Sequence, residues 1–193
     1  MDESFGTAGT APTTPLDALQ VLASSDVMLS PTLRHIEMYT MRGLLTILWH
    51  EAADGAARQP GALVLCGGAM GGLLGPGDAL FHRLGVEWSA RGVPVLRVSY
   101  RRPNDLDLCC VDVAAAAQLA IGGAAADRVV LMGHSFGGAV AVRVGVGLRE
   151  MVCMIAGHGE LVRLPGDGHL LARSDEAMWE RLESWLPALV TAE

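Results

Sequence analysis

Lysine is missing from this chain altogether, and all 14 basic residues are arginine. A Walker-type phosphate loop is thereby excluded, because such a loop needs a lysine to reach the phosphates. Basic charge of any kind is scarce. The net charge of -7 argues against a nucleic-acid partner, whose phosphates demand a cationic face. Long apolar runs are lacking too. None approaches the roughly 18 uninterrupted residues of a membrane span, so no membrane partner is expected. The opening stretch MDESFGTAGTAPTTP has early acids and no apolar centre, so a secretory signal is not expected either. Cysteines are few, and Cys66, Cys109, Cys110 and Cys153 show no zinc spacing. They read as reduced thiols of a cytoplasmic protein, with no metal site.

What is present is a chain of 193 residues, half of them apolar and only 18% charged. That suffices for one domain with a full hydrophobic core. Residues 1–31 are rich in Thr, Pro, Ser and Ala and hold one helix-like patch, LDALQVL. They read as a variable arm preceding a single domain over 32–193. HIEMYTM and LLTILWH, separated by Arg42-Gly43, predict an antiparallel pair of strands.

From ALVLC (62–66) onward, apolar runs of about five residues alternate with helical stretches. Strands are expected at 62–66, 93–100 and 128–132, and helices at 75–92, 105–123 and 135–150. Such alternation predicts a mostly parallel α/β sheet with helices on both faces. MVCMIA, LVRLP and an amphipathic helix, SDEAMWERLESWLPALV, close the chain. Ser174 or Asp175 is placed to cap that helix.

The chemistry-bearing stretch is VVLMGHSFGG. A Gly-x-Ser-x-Gly at a strand end, opening a helix, places Ser135 on a sharp turn at the sheet's C-terminal edge. A nucleophile and a simple helix cap both suit that position. LCGGAMGG follows the first buried strand. Its glycines free backbone N–H groups for an oxyanion, so Ala69, or Met70 with a shift of one, pairs with the N–H of Phe136. In LPGDGHLL a strand runs into a Pro-Gly-Asp-Gly turn that delivers His169, the candidate base. His134 is expected to pack beneath the elbow.

These four stretches, with SYRRPNDLD after the middle strand, resemble an α/β-hydrolase of the small bacterial esterase and dienelactone-hydrolase-like type. The resemblance covers roughly residues 33–190. It implies a cofactor-free serine hydrolase acting on a small-molecule ester or related acyl substrate, with Ser135 attacking and His169 moving the proton. One departure is the nucleophile, since dienelactone hydrolases proper use cysteine.

A second departure is the triad acid, which the family places between the serine and the histidine. Glu160 and Asp167 are weak candidates there, and Asp105, after the preceding strand, is a third. Asp167 sits in the same tight turn as His169, and the strand order puts Glu160 at the opposite edge of the sheet. The resemblance therefore implies a truncation between residues 150 and 160, where roughly 40 to 50 residues carrying the acid are missing. A catalytically impaired or silent hydrolase-derived domain is the alternative. Removal of inner strands would also expose sheet edges, through which a homo-oligomer could form.

Overall fold

The computed structural model describes residues 14–147, 169, 171 and 174–191. MVCMIA and LVRLP lie outside the described residues, as do Glu160, Asp167 and the region of the expected truncation.

The apolar runs become the centre of the sheet. β4 (Gly61–Cys66) is buried at every position, as befits a strand covered on both faces. It pairs in parallel with β5 (Val95–Ser99) on one side and β6 (Arg128–Gly133) on the other. α2 (Leu80–Ala90) connects β4 to β5, and α3 (Leu106–Gly123) connects β5 to β6. α4 (Phe136–Gly147) follows β6, and α5 (Asp175–Val190) is the last helix. α2 starts five residues later than the helix-like stretch suggests. Gly75, Gly77 and Ala79 all have positive φ there, a backbone conformation that cannot begin a right-handed helix.

β2 (Leu33–Thr40) and β3 (Gly43–His50) form the expected antiparallel pair, turning at Gly43 with φ 126°. β3 then lies antiparallel to β5. The six-stranded order is β1-β2-β3-β5-β4-β6, where β1 is Ala23–Ser30. The sheet is therefore mixed: β5-β4-β6 is parallel, and β1 to β3 add an antiparallel wing. β1 is a further departure, because composition places residues 23–30 in the arm. Its Ser and Asp residues carry little strand signal, and pairing with β2 supplies the structure. α1 (Pro15–Leu19) is shorter than the LDALQVL patch, and the Thr14 side chain caps it at the Asp17 N–H.

Alternating side chains divide the core between the two faces of the sheet. Val64, Cys66, Leu96 and Val98 meet α3 and α4 through Val113, Ala116, Ala117, Val140 and Val144. The alanine run lets α3 approach closely. Leu63, Leu65 and Val95 meet α2 and α5 through Leu84, Trp88, Leu186 and Val190. Each large side chain buried this way stabilises the fold by about 1.5–3 kcal/mol.

By length and composition α3 would also serve to cross a membrane. Here half of it is buried, and its fully buried Asp112 accepts from Arg101 at 2.5 Å (Nε) and 2.9 Å (backbone N). Ser174 sits at the N-cap of α5 but makes no side-chain capping bond. Asp175 turns away to Arg83 and to the Asp78 N–H.

Candidate active site

β6 delivers the chain to the C-terminal edge of the parallel strands, and α4 starts three residues later at Phe136. The connection is sharp because Ser135 adopts φ 56°, the left-handed region that non-glycine residues rarely occupy. Holding it there costs about 1–3 kcal/mol, a strain typical of functional turns. The surrounding glycines are obligatory. A Cβ on Gly133 would collide with the Gly137 carbonyl, and one on Gly137 with the Cys66 and Gly67 carbonyls. Two short bonds close the turn, from the Gly137 N–H to His134 O and from the Gly138 N–H to Ser135 O, both 2.9 Å. Ser135 Oγ is thus lifted to the mouth of the sheet at a helix N-terminus, where developing negative charge is favoured.

His169 reaches this turn from 34 residues downstream, with Nε2 2.7 Å from Ser135 Oγ. With the serine hydroxyl donating, Nε2 is the acceptor and the imidazole proton sits on Nδ1. His134 also meets His169. Its Nε2 donates to the His169 carbonyl at 2.7 Å, and the two rings lie 5.0 Å apart, tilted by 42°. His134 thus does not simply pack beneath the elbow as expected, being only half-buried and part of the cavity lining. The sequence places His134 inside the elbow but carries no signal for a partner so distant.

Asp105 makes no hydrogen bond to Ser135 or His169. It is the N-cap of α3, accepting from the Leu108 N–H at 3.2 Å. Asp107, next along, pairs with Arg143 at 2.6 Å. Among the described residues, no carboxylate hydrogen-bonds His169.

The glycine-rich loop after β4 lies beside the elbow. The Tyr100 hydroxyl donates to Gly67 O at 2.9 Å, and burial pushes that hydroxyl's pKa up, so it remains a donor. Phe136 meets the Tyr100 ring edge-on at 6.2 Å. The Gly71 N–H bonds Gly68 O at 2.9 Å, which leaves Ala69 and Met70 at the tip of a tight turn. Neither of their N–H groups takes part in closing that turn. Met70 is almost fully exposed, whereas Ala69 is half-buried.

A cavity of about 240 Å³ opens on the α2 and α5 side of the sheet. Gly133 and His134 of the elbow and Leu171 line one part of it, and Leu80, Phe81 and Met178 are among its apolar residues, with Arg181 the charged one. No group of three or more metal-ligating side chains occurs among the described residues. Cys66 and Cys109 are buried free thiols. Burial raises both pKa values, that of Cys109 to about 12, so neither is a ready nucleophile.

No protein-family model and no curated protein matches this chain. Solved structures do match. A lidless α/β serine hydrolase from Xanthomonas campestris aligns over 82% of this chain and 81% of its own, with TM-score 0.50 and 17% identity. An α/β serine hydrolase homologue from Coxiella burnetii aligns over 65% and 61%, with TM-score 0.50 and 16% identity. The fold is that of the α/β hydrolases. Est1E from Butyrivibrio proteoclasticus aligns over 61% of this chain and 47% of its own, with TM-score 0.50 and 14% identity. The chain thus covers less than two thirds of the Coxiella and Butyrivibrio structures. At such identities the α/β-hydrolase likeness is one of fold, and the chemistry rests on the geometry of Ser135 and His169.

Proposed function

We propose that this protein is a serine hydrolase acting on a small ester or related acyl substrate, of the small bacterial esterase and dienelactone-hydrolase-like type. The observation that carries this reading is the 2.7 Å contact between Ser135 Oγ and His169 Nε2, made on a strained turn. His169 takes the hydroxyl proton as Ser135 Oγ bonds to the substrate carbonyl carbon. The oxygen that becomes negative faces the N–H of Phe136 and that of Ala69, or of Met70 with the loop shifted by one. Collapse breaks the bond to the leaving alkoxide, which takes the proton from His169. Water then releases the acid by the same steps in reverse roles. The apolar cavity beside His134 suits the hydrocarbon part of such an ester.

The second reading is an impaired or silent hydrolase-derived domain, lacking the acid-bearing segment between residues 150 and 160. It is favoured by the capping role of Asp105 and by the absence, among the described residues, of a carboxylate on His169. In a serine protease, neutralising the triad acid lowers turnover by about 10⁴. Hydrolysis of nitrophenyl acetate separates the two readings. Turnover above the uncatalysed rate that disappears in Ser135→Ala supports the enzyme, and equal rates for the two folded proteins support the silent domain.

A further inference from the structure

We infer that His134 is a positioning residue that holds the base in register with the nucleophile, an inference that rests on the hydrolase reading above. Two adjacent residues of one turn grip His169 at two separate points. Ser135 Oγ meets its imidazole at Nε2, and His134 Nε2 meets its backbone carbonyl, each at 2.7 Å. A carbonyl oxygen only accepts, so the His134 proton is fixed on Nε2. The tilted ring contact at 5.0 Å adds a surface against which the His169 imidazole rests.

One bond leaves a side chain free to swing about it. Two bonds from a rigid turn, one to ring and one to main chain, fix both where the imidazole sits and which way it faces. In a triad the acid performs the second task from the far side of the ring. Here, among the described residues, His134 is the group that does so, acting on the main chain. His134 and Ser135 together thus join the nucleophile's turn to the base at two points.

The test compares His134→Leu, which removes the donor, with His134→Gln, whose amide nitrogen can occupy the place of Nε2. The readout is the rate of Ser135 modification by a fluorophosphonate, taken with the melting temperature of each variant. A base displaced by about 1 Å costs on the order of 100-fold in rate. His134→Leu is therefore expected to slow labelling about 10- to 100-fold, and His134→Gln to restore most of it. Wild-type labelling rates in His134→Leu overturn the inference. Equal slowing in both variants does so too, because ring packing and not the bond would then be responsible.

Imidazole ¹⁵N NMR supplies a readout independent of reactivity. The tether predicts His134 with its proton on Nε2 and His169 with its proton on Nδ1, the latter losing its preference in His134→Leu. Should wild type fail to label while this pattern is present, the hydrolase reading falls and the positioning contact stands. A His169 spectrum indifferent to His134→Leu overturns the positioning contact itself.

Discussion

The two ends of the sheet are built for different purposes, and β4 and β1 show it most sharply. β4 is buried at all six positions, whereas seven of the eight residues of β1 are exposed. Around β4 the parallel strands direct their C-terminal ends to one place, and the turns that leave them bring Ser135 and the glycine-rich loop together. The antiparallel wing contributes no atom to that place. It carries instead half-exposed Val27, Met28 and Leu29 on an outer strand with no lysine and no proline to blunt it. The candidate site thus lies at the ends of the buried parallel strands, while the wing extends the sheet.

That contrast can be broken at specific residues. The largest effect is expected at Gly137, where even a methyl meets backbone carbonyls that cannot move aside. Gly137→Ala is predicted to cost about 3 kcal/mol and to disable Ser135, read as a lower urea midpoint together with lost labelling. A comparable loss is expected from His50 on the wing, but with pH as the trigger. Burial, then the Arg97 and His82 charges, lower its pKa from 6.5 to about 4. The unfolded chain therefore binds a proton that the folded one refuses. Stability is complete above pH 6.5 and falls as pH drops towards 4, by about 3 kcal/mol across that window. Urea midpoints at pH 7 and pH 4.5 measure the slope, and His50→Gln should flatten it.

Smaller effects sharpen the distinction between structural and reacting carboxylates. Asp105→Ala is expected to cost about 1 kcal/mol through loss of the α3 cap. Labelling of Ser135 should stay within about two-fold, whereas a triad acid would show a loss nearer 10⁴. The least effect is expected at the outer strand. Val27→Lys should change stability by no more than about 0.5 kcal/mol and leave labelling untouched. If the protein associates through that edge, as its apolar surface suggests, sedimentation should then show less self-association.

Much of this architecture is legible in the residues, and the parts that are not share a cause. The elbow reads clearly because Gly133, Ser135 and Gly137 satisfy one local steric requirement, complete within five residues. β4 reads equally well, its apolar run having no other use. β1 is hidden because Ala-Ser-Ser-Asp has no pattern of its own and becomes a strand only against Met38 and Tyr39. The β3-β5-β4 order is hidden for the same reason, being a choice of neighbours and not of local shape. Asp105 is ambiguous in the sequence because capping and acid–base work call for the same residue type at a loop end, and the structure shows the capping bond. His134 is visible as a residue, but its role depends on a carbonyl 35 positions away.

The most direct test is the mass of the intact protein after exposure to a fluorophosphonate, followed by mapping of the modified peptide. If Ser135 and His169 form a working pair, one adduct forms, it maps to Ser135, and His169→Ala slows its formation by at least about 1000-fold. A folded protein that gains no mass, or one modified equally fast without His169, contradicts the pairing.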